Sequence, residues 1–148
     1  MKQLYMDEAI AMAKVALKNN EVPIGAIIID QESKIIGRGY NTREASNDIT
    51  GHAEINAIKA ASLELGTWKL ENCIMFVTVE PCIMCYGAII QSRIKTVYVG
   101  SLQDKIKKSS YKHYLSETEI TISEELVNDE SKKLMQNFFK NKIRGDKC

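Results

Sequence analysis

Two short apolar runs, one on each side of a helix-like segment, constrain the fold of this chain more than any other feature. The runs are CIMFVTV at 73–79 and TVYVG at 96–100, and the segment between them opens with Pro81 and extends to about Gln91. Proline suits the first position of a helix, so the predicted order is buried strand, helix, buried strand. Strands that are apolar throughout are typical of a sheet covered by helices on both faces. The pattern therefore predicts an α/β fold.

The N-terminal third adds a helix and a hairpin to this sheet. Apolar residues recur at helical spacing from Tyr5 to Leu17, after which an Asn-Asn pair ends the helix. The runs IGAIIID at 24–30 and KIIGRGY at 34–40 are rich in isoleucine, are separated by a polar turn, and predict two strands. We expect this antiparallel hairpin to lie at one edge of the sheet.

A second helix is predicted after the hairpin and the loop that follows it. The run HAEINAIKAASLEL at 52–65 has helical periodicity and carries Ile55, Ile58 and Leu65 on one side. Gly66 follows the run and suits the left-handed conformation in which many helices end. The helix therefore begins at a histidine and a glutamate, two residues that can take part in chemistry.

The C-terminal part predicts one more strand and a long closing helix. EITI at 119–122 is the expected strand. Ser123 is the predicted N-cap of the helix, because Glu124 and Glu125 would then lie in its first turn, where acidic residues are favoured. No linker, repeat or low-complexity stretch divides the chain, so residues 1–148 are expected to form a single domain.

Composition limits the remaining possibilities. The chain has 148 residues, of which 45% are apolar and 4 are cysteines. A core of this size needs neither disulfides nor a structural metal merely to fold, so a metal here would serve chemistry. Asp7 and Glu8 stand where a signal peptide would be apolar, and no run is long enough to span a membrane. We expect a cytoplasmic protein whose cysteines stay reduced.

Residues that could carry chemistry are concentrated at the starts of two predicted helices. Cys82 and Cys85 are three residues apart and share a helical face, and a helix N-terminus favours the thiolate form that binds metal. With His52 they form a three-ligand set that suits one zinc ion per chain and leaves the fourth position to water. Glu54 reaches the same point only if His52 lies in the first turn of its helix, and it then suits a proton shuttle.

Each motif also has a plainer interpretation. A lone Cys-x-x-Cys pair occurs in thioredoxin-like redox proteins, and His-x-Glu can be an ordinary helix start. A catalytically silent zinc-binding subunit is a further alternative, although such a subunit would have no need of Glu54. Taken together, HAE at 52–54 and PCIMC at 81–85 resemble the signature of zinc-dependent nucleobase deaminases, and we favour that interpretation.

A wider resemblance covers about half of the chain. It runs from EVPIGAIII at residue 21 through GYNTRE and NDITGHAEINAI to LGTWKLENCIMFVTVEPCIMCYGAIIQSRI, which ends at residue 94. These stretches resemble the bacterial tRNA adenosine deaminases, which convert the first anticodon adenosine to inosine. The resemblance implies a cytidine-deaminase-like three-layer α/β/α sandwich with a mixed five-stranded sheet, and it implies a homodimer.

The same resemblance implies site residues by position. The zinc ligands and the proton shuttle are the four residues named above. Asn41 would hydrogen-bond the base and Ile24 would form an apolar wall of the substrate pocket, although asparagine is also a common turn residue. Trp68 matches an aromatic position that we interpret as packing, and Cys73 is expected in the core.

The resemblance weakens after Gly100. There the chain reads SLQDKIKKSSYKHYLSETEITI. It lacks the Gly-rich stretch and the Asn-His-Arg-like segment that form much of the RNA-contacting rim in the family. Two classes of substrate therefore stay open: the anticodon stem-loop of a tRNA, and a free nucleobase or nucleoside of cytosine, guanine or adenine type.

Charge is distributed unevenly and bears on that choice. Residues 93–148 carry 12 basic and 8 acidic side chains, whereas residues 1–92 carry 8 and 11. The basic residues of the C-terminal part include Lys105, Lys107, Lys108, Lys112, Lys140, Lys142, Arg144 and Lys147. Charge runs are usually solvated surface. Beside the pair Phe138-Phe139, which a closing helix would more often bury, they also fit single-stranded nucleic acid.

Overall fold

The computed structural model describes residues 1–103 and 115–142, in which strands and helices alternate. The strands are β1 (Gly25–Ile29), β2 (Ile35–Tyr40), β3 (Ile74–Val77), β4 (Thr96–Val99) and β5 (Thr121–Ser123). The helices are α1 (Lys2–Lys18), α2 (Arg43–Ser46), α3 (Ala53–Leu65), α4 (Ile83–Gln91) and α5 (Asp129–Lys142). Six basic residues named above lie outside the described ranges: Lys105, Lys107, Lys108, Lys112, Arg144 and Lys147.

The strands form one mixed sheet with the order β2-β1-β3-β4-β5. Strand β1 pairs antiparallel with both β2 and β3, whereas β3, β4 and β5 run parallel to one another. The hairpin therefore lies at one edge, and the apolar strands β3 and β4 lie inside the sheet. The predicted α/β fold with a mixed five-stranded sheet and an antiparallel edge is confirmed.

Helices cover both faces of the sheet and create two cores. On one face, α3 and α4 pack with sheet residues that include Ala26, Ile28 and Val97. On the other face, α1 and α5 pack with residues that include Ile27 and Phe76. The result is a three-layer α/β/α sandwich. Within the described residues, no helix is both long and apolar enough to cross a membrane.

Helix α3 lies unusually close to strand β2 because both surfaces are made of small residues. A Cβ atom added to Gly37 or Gly39 would collide with the backbone of α3, at the carbonyl oxygens of Ala57 and Ala53 respectively. The helix presents Ala53, Ala57 and Ala61 to this contact, and all three are fully buried. The position of the α3 N-terminus is therefore set by direct backbone packing.

This packing also decides which face of α3 is buried. The larger apolar residues that share one side in the periodicity are not the buried set, since Ile55 and Ile58 are only partly buried and Leu65 is exposed. The end of the helix is as predicted, with Gly66 in the left-handed conformation at φ 68°. Glycines in the facing strand select the alanine face, because only small side chains fit there.

The start of the closing helix was predicted wrongly. Ser123 is the last residue of β5, and α5 begins six residues later, at Asp129. Asn128 takes the capping role instead, since its Oδ1 accepts a hydrogen bond from the Ser131 N–H at 2.7 Å. The acidic residues of the first turn are Asp129 and Glu130. The same local signal, a polar cap followed by two acids, thus occurs twice, and the second copy is used.

Two smaller differences concern the segments that flank the site. Pro81 does not begin α4, which starts at Ile83 with Cys82 as its N-cap. The four-residue helix α2 was not predicted, because it lies in a segment expected to be a loop. Both differences place residues of the motifs quoted above at or next to helix ends, where backbone N–H groups lack intrahelical partners.

Candidate active site

His52 sits at the point where the loop after α2 becomes helix α3. It is the N-cap of α3, with extended backbone angles of φ −92° and ψ 151°. Residues two apart do not share a face of a regular helix. Because His52 lies outside the regular helix, its side chain can turn toward Glu54, as expected from the sequence. Gly51, the residue before it, packs closely against Thr42 and Arg43. A Cβ atom added to Gly51 would lie only 3.0 Å from the nearest atoms.

The two cysteines face His52 from the start of α4. His52 Nδ1 lies 3.7 Å from Cys82 Sγ and 3.4 Å from Cys85 Sγ. The three potential ligand atoms all lie within 4.8 Å of one another. The structure therefore brings together the three residues that the sequence predicts as metal ligands. They come from two helix starts on the same face of the sheet.

These donor atoms fit a zinc ion both in kind and in spacing. A tetrahedral zinc with bonds of about 2.3 Å to sulfur and about 2.0 Å to nitrogen holds the two atoms roughly 3.6 Å apart. The observed Nδ1 to Sγ distances of 3.4 and 3.7 Å bracket that value. Cys85 is buried while His52 and Cys82 are partly exposed, so the cluster is open on one side. An open three-donor set is the arrangement of a catalytic zinc site.

Hydrogen bonds within the cluster shift the pKa values of the two thiols in opposite directions. A hydrogen bond from Cys85, supported by one with His52, lowers the pKa of Cys82 to about 4. The hydrogen bond to Cys82, together with burial, raises the pKa of Cys85 above its ordinary value. The pKa of His52 is raised as well, chiefly by its hydrogen bond with Cys82. The cluster therefore favours the thiolate form of Cys82, and because zinc ligands must be deprotonated cysteines and a neutral histidine, zinc binding releases protons.

Glu54 lies behind the cluster in the first turn of α3. Its side chain is only 3% exposed, and burial raises its pKa to about 7. The carboxylate is within hydrogen-bonding reach of the Cys85 thiol and of its own backbone N–H. Its other oxygen, Oε1, is buried and has no hydrogen-bond partner in the described part of the chain. A buried carboxylate oxygen left open in this way is a ready acceptor for a proton of water or substrate.

Asn41 and Ile24 adjoin this cluster through backbone contacts. Asn41 is 6% exposed, and its Oδ1 accepts a hydrogen bond from the Ala53 N–H at 2.8 Å, beside His52. The Asn41 N–H in turn donates to the Ile24 carbonyl at 3.3 Å. Among residues 1–103 and 115–142, no acceptor takes a hydrogen bond from Asn41 Nδ2. The side-chain amide is therefore held by its oxygen, with its NH₂ group left as a donor.

An open cavity of about 620 Å³ is lined in part by Ile24. Its walls are Ile24 and Val79 on the sheet side, residues 101–103, and one face of α5. Phe139 on this face is 39% exposed, whereas its neighbour Phe138 is buried. The two rings expected in the closing helix thus differ, and one of them lines the cavity.

Several buried polar residues near the site had no signal in the sequence. Glu21 and Glu80 are 2% and 3% exposed, although isolated acidic residues ordinarily indicate surface. Glu80 accepts a hydrogen bond from the Gln103 N–H at 3.2 Å and so fixes the wall of the cavity.

Trp68 departs from the expectation that it packs in the interior, since it is 56% exposed and the Arg93 guanidinium lies over its ring. Cys73 is buried, as predicted.

Comparison with known sequences identifies relatives of this chain. A sequence model of the cytidine and deoxycytidylate deaminase zinc-binding region matches residues 1–101. The tRNA-specific adenosine deaminase of Buchnera aphidicola subsp. Schizaphis graminum is 41% identical over 142 residues, which are 93% of this chain and 93% of the relative. The protein of the same name from Streptococcus pyogenes serotype M18 is 36% identical over 141 residues, 92% of this chain and 88% of that one.

Solved structures give the same architecture. A tRNA:A34 deaminase studied for A-to-I editing at the wobble position superposes with a TM-score of 0.68 at 38% identity, covering 70% of this chain and 79% of its own. The guanine deaminase from Nitrosomonas europaea superposes with a TM-score of 0.82 at 21% identity, covering 93% and 84%. At the latter identity, the likeness shows a shared fold.

Proposed function

The chain belongs to the cytidine and deoxycytidylate deaminase family, and we propose that it converts adenosine to inosine at the first anticodon position of tRNA. It is a zinc-dependent hydrolytic deaminase. The observation that supports this choice of substrate is the similarity to tRNA-specific adenosine deaminases over nearly the full length of both chains. That similarity includes the region after Gly100, where the sequence motifs alone are weakest.

We assign His52, Cys82 and Cys85 as the ligands of one zinc ion per chain. A zinc ion held by these donors supplies a Lewis acid that activates water for attack on the base. The protein contributes the spacing of the donors, which arises from the packing of α3 on β2 and from the start of α4. The assignment is supported by the ligand distances and by the absence of a fourth histidine or cysteine within this cluster among the described residues.

We assign Glu54 as the residue that moves protons. Replacing the amine at C6 of adenine by oxygen consumes one water molecule, of which one proton ends on ring nitrogen N1 and the other leaves with ammonia. A carboxylate that accepts and returns protons at both stages must lie beside the reacting atoms and be shielded from bulk water. Two observations support this role for Glu54. Its side chain is buried, and its Oε1 accepts no hydrogen bond from any donor in the described part of the chain.

We assign Asn41 and Ile24 to the substrate pocket. Because the oxygen of the Asn41 side chain is engaged by the Ala53 N–H, the group it can offer a base is the Nδ2 donor. A donor in that place suits an unprotonated ring nitrogen such as adenine N7, which is bonded to C5, the neighbour of the carbon that bears the amine. Ile24 provides an apolar surface at the mouth of the open cavity, against which the flat face of a base can pack.

The open cavity supports a polymeric substrate rather than a free base. Its volume of about 620 Å³ exceeds what one base needs, and it lies beside the candidate pocket. Its α5 wall combines the cation of Lys132 and the amide of Gln136 with the exposed ring of Phe139. Such a surface suits the phosphates and bases that flank a flipped nucleotide.

A substrate panel tests this proposal. The zinc-loaded protein is given an anticodon stem-loop with adenosine in the first anticodon position, a matched stem-loop with guanosine there, and free adenine, cytosine, guanine and their nucleosides. We expect inosine and ammonia from the adenosine stem-loop, at a kcat/KM far above that of any free compound, because flanking nucleotides orient the base. Rapid turnover of a free base with the stem-loop untouched would overturn the proposal in favour of a free-base deaminase.

We further propose that residues 1–148 form a single domain and that the protein acts in the cytoplasm. We also propose that it forms a homodimer through α4. This helix is apolar at exposed as well as buried positions: Tyr86 and Ile89 are buried, while Ile83 in its first turn is 55% exposed. A Cβ added to Gly87 would meet nothing within 4 Å. A helix whose exposed positions are also apolar is normally covered, and a second copy of the same face would cover it. Light scattering of Ile83→Asp should show monomers where the parent chain shows dimers.

A further inference from the structure

Glu21 is a buried carboxylate that no step of the reaction uses. It lies between α1 and β1 and is 2% exposed. Its Oε1 accepts a hydrogen bond from the Glu44 N–H at 3.0 Å, and its Oε2 accepts one from the Ala45 N–H at 2.8 Å. No cation within residues 1–103 or 115–142 forms a salt bridge with it. Burial of a carboxylate is unfavourable unless hydrogen bonds compensate it, so these two amides are what hold the charge.

The two hydrogen bonds replace a helix cap that α2 otherwise lacks. The amides of Glu44 and Ala45 are the second and third of α2, which an N-cap side chain ordinarily bonds. Thr42 occupies the N-cap position but makes no such bond. Its Oγ1 instead accepts a hydrogen bond from Asn56 Nδ2 of α3, at 3.0 Å. Glu21 therefore caps α2 from 23 residues away in the sequence.

This cap joins the two walls of the candidate substrate pocket. One wall is the segment that leads from Glu21 to Ile24. The other is the loop that begins with Asn41, contains α2, and ends with His52. The walls meet at the end of the β1–β2 ladder, where Gly25 pairs with Tyr40 and the Asn41 N–H donates to the Ile24 carbonyl at 3.3 Å. Glu21 provides a further connection beyond the ladder, and so restrains the loop where strand pairing no longer does.

We propose that Glu21 is a positioning residue for deamination, which fixes the Asn41 amide relative to Ile24. This inference rests on the proposed function, because it takes these two residues as the pocket. Without the connection, the part of the loop from Asn41 to α2 can shift by a fraction of an ångström while the zinc ligands and the core stay in place. A small displacement of a group that orients the base reduces the rate of reaction more than it reduces binding.

Variants of Glu21 test the inference with the stem-loop as substrate. Glu21→Gln keeps one acceptor oxygen but turns an NH₂ group toward a backbone N–H, whereas Glu21→Ala removes both acceptors. We expect kcat to fall about 10-fold in Glu21→Gln and about 10²-fold in Glu21→Ala, the scale for displaced orienting groups. KM should change by less than about 3-fold, because the flanking nucleotides provide most of the binding.

Asp30 offers a matched control at the other end of β1. Its Oδ1 accepts hydrogen bonds from the Glu32 and Lys34 N–H groups, both at 2.9 Å, in the turn between β1 and β2. Asp30→Asn should lower the thermal unfolding temperature as Glu21→Gln does and leave kcat unchanged. All rates are normalised to bound zinc and measured at temperatures at which each variant is fully folded. A purely structural role for Glu21 predicts wild-type kcat under these conditions, and that result would overturn the inference.

Two further outcomes are informative. If the unaltered protein deaminates a free base and not the stem-loop, the proposed substrate fails, and the same kcat comparison with that base still decides the role of Glu21. If the Glu21 variants do not fold, amide exchange in the unaltered protein takes their place. The Glu44 and Ala45 amides should then be protected far above those of an open four-residue helix, and exchange at the rate of exposed loops would refute the connection.

Discussion

Residues 21–101 bury three carboxylates, whereas residues 115–142 bury only a serine and a phenylalanine. Glu21, Glu54 and Glu80 are each 2–3% exposed, and their partners include backbone N–H groups of neighbouring elements. In the second region, only Ser131 and Phe138 are buried. The first region is therefore a set of elements fixed to one another, and the second is a strand and a helix laid against it.

The difference teaches that chemistry and substrate choice have separate structural foundations. The candidate zinc site depends on the backbone positions of two helix starts, which buried contacts determine. The cavity beside it depends on exposed side chains of one helix face, which can change without moving the zinc site. The comparison predicts that substitutions in the first region reduce reaction rate or metal content, and that substitutions on α5 change which substrate binds.

The largest effect is expected from loss of a zinc ligand. Cys82→Ser and Cys85→Ser should each lose most of the bound zinc, because a tetrahedral thiolate site is not maintained by two ligands, and deaminase activity should fall to background. Elemental analysis of the purified protein should show about one zinc per chain before the change. Cys73→Ser is the control, because this buried cysteine is not part of the ligand cluster and the variant should retain its zinc. Full zinc content in both ligand variants would contradict the assignment.

The next effect separates proton transfer from metal binding. Glu54→Ala should retain zinc and lose turnover by at least about 10²-fold, the usual contribution of a positioned acid or base. Zinc content and single-turnover inosine formation are measured on the same preparation. If Glu54→Ala loses zinc to the extent that Cys82→Ser does, then Glu54 is a ligand rather than a proton carrier.

A stability effect should follow from the contact between α3 and β2. Gly39→Ala places a methyl group against the Ala53 carbonyl, and overpacking of this kind costs roughly 1–3 kcal/mol of unfolding free energy. Leu63→Ala is the control on the same helix, because this side chain is 84% exposed and its removal leaves the contact with β2 intact. Thermal unfolding should therefore shift clearly in Gly39→Ala and little in Leu63→Ala. Equal shifts would show that α3 does not depend on this approach.

The smallest effect is expected on α5. The double variant Lys132→Gln, Phe139→Ala should raise KM for the stem-loop several-fold and reduce the salt dependence of binding, because a phosphate contact and a stacking surface are lost. Zinc content and turnover of saturating substrate should not change. Leu134→Ala, on the face of α5 that packs on the core, is the contrasting change, expected to affect stability and not KM. A fall in kcat alone in the double variant would break the separation between the two regions.

The candidate site was more predictable from sequence than the elements that hold it. His52, Glu54 and the cysteine pair are each encoded by local spacing at a helix start, so their types and intervals alone indicate a common centre. Glu21 has no such local signature, because its partners lie 23 residues away in a helix too short to show periodicity. Its burial follows from tertiary packing, which the sequence does not display.

Two errors in the predicted helices, the start of α5 and the buried face of α3, have a common physical cause, which is that tertiary contacts override the local signal. Ser123 and Asn128 are each followed by two acidic residues, and local capping rules do not distinguish them. The Asn128 N–H donates to the Gly100 carbonyl at 2.8 Å, while Ser123 is extended in β5, so strand pairing decides between the two. Likewise, glycines in β2 rather than the periodicity of α3 determine that helix's buried face.

The close contact between β2 and α3 makes the candidate metal site depend on the register of the hairpin. A slip of one residue in the hairpin would turn every side chain of β2 to the opposite face. Arg38 and Tyr40 would then lie where the two glycines now admit α3, and the helix could not dock. His52 would be held away from the cysteines. A chain in the wrong register therefore lacks the metal site altogether.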